Sequence, residues 1–85
     1  MSKSVYTDAY ASLLETLIAL RKERGVTQTQ LAERLGKPQS FVSKVEQGAR
    51  RLDVIEFYAI CRAMETDPEA VFGLLVRNLP VTVSI

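Results

Sequence analysis

Tyr10, Leu13, Leu14, Leu17, Ile18 and Arg21 recur at i, i+3, i+4, i+7, i+8 and i+11, the period of one face of an α-helix. The pattern predicts a first helix over residues 8–24, with Asp8 as its N-cap and Gly25 closing it. Arg21 is the oddity, a charge on an apolar stripe. In "TQTQLAERLG", Thr27 and Gln30 have capping-box spacing, Leu31, Ala32 and Leu35 form an inner face, and Gly36 suits a left-handed C′ position. A short second helix follows from that. A third begins two residues later, with Pro38 in its first turn, where no backbone donor is needed, and Gly48 at its end.

Beyond the basic loop "ARRL", Asp53 caps a fourth helix whose expected apolar stripe is Val54, Phe57, Tyr58, Cys61 and Met64. Asp67 and Pro68 start a fifth as cap and N1 proline. Its apolar residues, Val71, Phe72, Leu74, Leu75, Val76 and Leu79, are too many for one face and call for a second burial partner. In so short a chain that partner is expected to be another copy of itself, through Val71, Phe72, Leu75, Val76 and Leu79. Val81, Val83 and Ile85 alternate with Thr82 and Ser84 as in a half-buried strand. Since a lone strand is unstable, this tail is expected to pair with its symmetry mate through Val81 and Val83, to pack along the fifth helix, or to fray. The expected organisation is a flexible start at 1–7, one all-α domain of five helices at 8–79 and an extended tail at 80–85.

Composition narrows the chemistry. Eighty-five residues, 47% of them hydrophobic, suffice for one core but not for an enclosed active site as well. There is no histidine, and Cys61 is the single cysteine, so Cys/His metal sites, disulfide frameworks and histidine acid–base catalysis lack their parts. Neither an enzyme mechanism, a cofactor, a metal nor a small-molecule ligand is expected. No stretch approaches a membrane span, and "MSKSVYTDAY" lacks the apolar core of a signal peptide, which points to a cytoplasmic protein. The net charge of +1 conceals an asymmetry: residues 21–51 carry eight basic and three acidic side chains, while the remainder is acidic in balance. A basic footprint backed by an acidic body suits a polyanion such as nucleic acid.

The stretch "KPQSFVSKVEQG" then becomes informative. With Phe41, Val42 and Val45 turned inward, Gln39, Ser40, Ser43, Lys44 and Gln47 share the outer face. A merely solvated helix would favour long Glu and Lys pairs at i,i+4, whereas Gln, Ser and Lys suit base edges and phosphates. Gln39 has the groups for a bidentate contact to adenine N6/N7 and Lys44 for donation to guanine O6/N7, while the first-turn amides at Gln28 and Thr29 form an anion site.

Helix, tight glycine turn and a second helix with a polar outer face is the helix-turn-helix arrangement. The segment "VTQTQLAERLGKPQSFVSKVEQGARRLDVIEF" resembles the Cro/repressor-type, or XRE, helix-turn-helix family, through Gln28, Leu31-Ala32, Gly36, Ser40, Val42-Ser43, Val45-Glu46 and Gly48. That resemblance implies a lambda-repressor-like five-helix fold whose third helix, at 39–47, enters the major groove of double-stranded DNA. It implies that Gln39, Ser40, Ser43 and Lys44 face bases or flanking phosphates, and that Gln28 meets a phosphate. Thr29, Lys37, Arg50, Arg51 and Lys22 join Gln28 as expected phosphate contacts. It further implies a part-buried ion pair between Arg21 and Glu46. Two departures stand out: Glu65 and Thr66 lie where relatives usually place a glycine, and Pro38 stands where many have Ser or Thr.

The function expected on these grounds is a sequence-specific transcriptional regulator, Cro-like or controller-like and in the repressor mould, binding a palindromic operator as a homodimer. A length that leaves no room for a sensor domain fits that reading. The alternative is a DNA-binding antitoxin or adaptor whose fifth helix and tail bind another protein; light scattering on the isolated chain separates the two.

Overall fold

The computed structural model describes residues 7–85, so six of the seven residues expected to form a flexible start lie outside the described part. Five helices follow one another: α1 (Asp8–Glu23), α2 (Gln28–Leu35), α3 (Gln39–Glu46), α4 (Val54–Ala63) and α5 (Pro68–Arg77). Each start has a local cause. Thr7, not Asp8, is the N-cap of α1, its hydroxyl accepting from the Tyr10 amide at 3.2 Å. Asp8 is thereby moved into the first turn, where its carboxylate faces the positive end of the helix. Thr27 and Gln30 close a reciprocal capping box on α2, and Asp53 and Glu56 another on α4. Asp67 caps α5 with Pro68 at its first position.

Pro38 sits one place earlier than expected, at the N-cap of α3, and offers no side-chain acceptor. The opening amides of that helix are left for solvent or a ligand. Gly36 takes φ 69° at the end of α2, the left-handed conformation that glycine adopts without steric cost. Between α4 and α5 the same conformation falls on Glu65, at φ 59°, and the neighbouring Thr66 hydroxyl donates to the Cys61 carbonyl at 2.9 Å.

The core joins all five helices. Leu17 from α1, Leu31 and Ala32 from α2, Val42 from α3, Ile60 and Cys61 from α4 and Val71 from α5 form one buried cluster with Val26 and Met64. Tyr10, Leu14 and Val45 form a second, joined to the first through Leu13, Phe41 and Leu52. Full burial of each large apolar side chain contributes about 1.5–3 kcal/mol. Cys61 is fully enclosed, and desolvation pushes its thiol pKa up, so it behaves as a small apolar residue.

The stripe expected on α4 needs correction. Phe57, Cys61 and Met64 do face inward, but Ile60 is the fourth inward residue, while Val54 and Tyr58 are exposed. Tyr58 stands about 200° around the helix from Ile60, and Val54 lies in the first turn, outside the core clusters. On α5, Val71 and Leu75 are only 5% and 6% exposed and serve the chain's own core, so they are not free for a partner. Phe72, Leu74 and Val76 point outward, with Leu79 half-buried.

No strand forms among the described residues. Residues 80–85 run as irregular backbone with Leu79, Thr82 and Val83 across an open groove from Thr7, Asp8 and Ser12 at the start of α1. Val81 and Ile85 are fully exposed, and among the described residues the tail meets no strand edge to pair with. No helix among the described residues is long and apolar enough to cross a membrane.

The packing order matters for function. α2 rests on α3 and α4, α1 on α3 and α5, and α4 on α5; α3 and α5 do not touch. The polar helix and the apolar surface of α5 are therefore separately accessible.

Candidate nucleic-acid interface

Helix α3 buries Val42 and Val45 and half-buries Phe41, which fixes its rotation. Gln39, Ser40 and Lys44 are exposed as a result, and Ser43 is half-buried with its hydroxyl accepting from Gln47 Nε2 at 3.2 Å. The four residues expected to read bases thus occupy one helix and its outward side. Ser43 is the least available of them.

Behind this face runs a chain of hydrogen bonds. Arg21 donates from Nε to Glu46 Oε2 at 2.6 Å and from Nη2 to Oε1 at 3.0 Å, while its Nη1 donates to the Val26 carbonyl at 2.8 Å. Both side chains of this ion pair are close to nine-tenths buried. Glu46 Oε1 also accepts from Gln28 Nε2 at 2.8 Å, and Gln28 Oε1 accepts from Gln39 Nε2 at 2.7 Å. The Glu46 carboxylate, which would otherwise repel a phosphate backbone, is neutralised from within. Its charge anchors α3 to α1 and the start of α2.

The chain also orients Gln39. With one Nε2 proton committed to Gln28, the other proton and Oε1 remain for an external ligand, which is the donor–acceptor pair that adenine N7 and N6 require. Gln28 itself is tied at both ends of its carboxamide, so a phosphate would meet the amides of Gln28 and Thr29 in the open first turn of α2 before its side chain.

The remaining basic residues divide. Lys22, exposed on α1, and Lys44 have ammonium groups with no bond among the described residues. Lys37 lies 5.4 Å from the centroid of the Phe41 ring, and the Arg50 guanidinium lies 4.9 Å from the same ring. Arg51 stacks over Tyr10 at 4.3 Å, and the Tyr10 hydroxyl accepts from the Leu52 amide at 2.9 Å, tying the loop after α3 to α1. Arg50 pairs with Glu56, whose carboxyl is held below the usual range by that guanidinium and by the Asp53 amide; Arg50 is raised in turn, first by the same bond. Glu56 is absent from the site residues that the sequence suggests, although its place three residues after Asp53 marks a capping box. Arg34, likewise absent from them, donates to the Ala63 carbonyl at 2.7 Å, across the end of α4.

Comparison with known proteins bears on this geometry. A family model described as helix-turn-helix matches residues 17–71. An XRE-family like protein from Pseudomonas syringae pv. tomato str. DC3000 superposes with a TM-score of 0.80 at 51% identity, covering 85% of this chain and 88% of that one. The restriction-modification controller protein C.AhdI from Aeromonas hydrophila gives 0.64 at 30% identity, over 78% of this chain and all of the other. The controller protein C.Esp1396I, solved as a tetramer in complex with its natural 35 base-pair operator, gives 0.76 at 21% identity over 84% and 93% of the two chains. Among curated proteins no match is found. The chain belongs to the XRE family of helix-turn-helix DNA-binding proteins. As a member of that family it is a DNA-binding protein.

Proposed function

We propose that the protein binds a palindromic operator as a homodimer and acts as a repressor or controller of a promoter overlapping that site. Each protomer places α3 in the major groove of one half-site, the two half-sites lying about 34 Å apart on one face of the duplex. Gln39 and Lys44 read bases, Ser40 and Ser43 contact bases or the adjoining backbone, and Lys22, Thr29, Lys37, Arg50 and Arg51 hold phosphates. The observation that carries this reading is the outward row Gln39, Ser40 and Lys44, braced through Gln28 and Glu46 to the buried Arg21.

The second copy is assigned to the α4–α5 side. Val54 and Ile55 are 78% and 74% exposed, Phe72 is 54% exposed, and beside them lies an open apolar groove of about 470 Å³. A surface of this kind, on the side where α5 does not touch α3, leaves the recognition helix clear. The solved operator complex of C.Esp1396I, itself a tetramer, supports an oligomer on DNA for this fold.

The test is selection from genomic DNA fragments, followed by titration of the enriched duplex at several salt concentrations for the parent and a Gln39→Ala, Lys44→Ala variant. An enriched palindrome, a negative salt slope and a variant that loses preference while keeping much of the slope are expected. Absence of any enriched sequence overturns the reading.

A further inference from the structure

Arg50 has only one of its two forks filled. Its Nη1 donates to Glu56 Oε1 at 3.0 Å and its Nη2 to Oε2 at 2.8 Å, closing the end-on fork, while Nη1 also donates to the Arg51 carbonyl at 2.8 Å. A guanidinium carries five N–H donors in fixed directions. Three are used. The remaining two, on Nε and Nη2, form the side-on fork and make no bond among the described residues.

The guanidinium is also held in orientation from other directions. Phe41, projecting from α3, lies against it at 4.9 Å. The amides of Ala49 and Arg50 both donate to the Lys44 carbonyl, folding the loop onto the end of α3. Glu56 is fixed as well, since the oxygen that takes Nη1 also accepts from the Asp53 amide at 3.0 Å in the capping box of α4. One carboxylate therefore starts α4 and seats an arginine beside the recognition helix.

On the footing of the DNA reading above, we infer that Glu56 is a positioning residue for DNA: it holds Arg50 by the end-on fork so that the side-on fork grips a backbone phosphate flanking the site read by α3. An anion entering this second fork leaves both bonds to Glu56 intact, so carboxylate and phosphate bind the same guanidinium from two sides. A pair that existed only as a half-exposed staple would add little to stability. Its worth here lies in fixing a long, rotamer-rich side chain before DNA arrives, which removes that ordering cost from the binding step.

The experiment is a double-variant cycle on affinity for the duplex enriched by selection, using the full chain with Glu56→Gln, Arg50→Ala and both together. Glutamine keeps the capping acceptor but loses the charge and the second oxygen, so helix α4 is retained; a circular-dichroism melt of each variant checks folding. Positioning predicts that Glu56→Gln weakens binding about tenfold when Arg50 is present, the size of one charge-assisted contact, and does not weaken it in the Arg50→Ala background. Arg50→Ala should lower the salt slope by about one. Tighter binding by Glu56→Gln only in the presence of Arg50 would mean that the carboxylate competes with phosphate, and the inference fails. Equal effects in both backgrounds would reduce Glu56 to a capping residue, and it fails again. If the parent enriches no duplex, the DNA reading falls and this inference with it, an outcome distinct from a failed cycle on an enriched duplex.

Discussion

Gln39 Nε2 donates to Gln28 Oε1 at 2.7 Å, joining the first residue of α3 to the first residue of α2 through their side chains. Gln28 is thus placed to brace Gln39, the residue proposed above to read a base. Gln28→Ala should lower discrimination between the enriched duplex and one altered at the base facing Gln39, by about tenfold, with a smaller loss on nonspecific DNA. Competition titration of the two duplexes measures it. An equal loss on both would return Gln28 to a phosphate role.

The same chain ends on Glu46 and Arg21, close to nine-tenths buried, and makes a stability prediction. Glu46→Ala removes three acceptor contacts at once and, among the described residues, leaves Arg21 only the Val26 carbonyl. Stranding that charge should cost about 3 kcal/mol in denaturant unfolding. A variant with the parent's midpoint would show that water reaches Arg21 freely.

Much of this was legible in the residues. Thr27 with Gln30, Asp53, Asp67 with Pro68, and Gly36 each carry a local physical requirement that survives any tertiary context, so the starts of α2, α4 and α5 and the turn after α2 could be placed from spacing alone, whereas α1 starts on Thr7 rather than Asp8. Arg21 stands out in the sequence as a charge on an apolar stripe, and its partner Glu46 came from the family resemblance. What spacing could not carry was rotation and reach. Val54 lies at stripe spacing on α4 yet stands outside the core clusters, and Tyr58 shares the helix but not its buried face; only the packing of α4 on α2 and α5 decides that Ile60 goes inward. The pairing of Arg50 with Glu56 depends on the path of the loop between α3 and α4, which no periodicity encodes.

Glu65 gives a stabilising substitution. Its φ of 59° is the left-handed conformation, which costs a residue with a Cβ about 1–2 kcal/mol and glycine nothing steric. Part of that gain is offset by the greater freedom of glycine in the unfolded chain. Glu65→Gly should therefore raise stability by about 0.5–1 kcal/mol, measured by denaturant unfolding, and leave operator affinity unchanged because the turn lies between α4 and α5, away from α3. A destabilised variant would mean that the Glu65 side chain makes a contribution larger than its backbone strain.

Acid should act on Glu56 in a definite direction. Arg50 chiefly, and then the Asp53 amide, lower its folded pKa below the ordinary carboxylate value. A depressed pKa contributes stability that is present above the unfolded value, about 4.3, and is lost as pH falls through the lower folded one. Parent and Glu56→Gln should therefore differ in Tm near neutrality by the small amount a half-exposed pair supplies, and converge on acidification past the folded value. A gap that persists in strong acid would have to come from the glutamine's own contacts.

The surface assigned to the second copy can be tested without disturbing the fold. Ile55 is 74% exposed in the first turn of α4, beside the capping Asp53. A carboxylate there meets the positive end of the helix, so Ile55→Glu should leave the isolated chain as stable as the parent or slightly more so. Across an apolar interface the same charge is desolvated, and in a two-fold arrangement it is introduced twice. Light scattering at micromolar concentration should then report a dimer for the parent and a monomer for Ile55→Glu with an unchanged circular-dichroism spectrum. Since each protomer contributes one α3, operator affinity should fall by far more than nonspecific affinity. A variant that stays dimeric would move the contact to Phe72, Val76 and the tail. A parent that is monomeric until another protein co-purifies with it would turn the α4–α5 surface over to that protein, as in an antitoxin or adaptor.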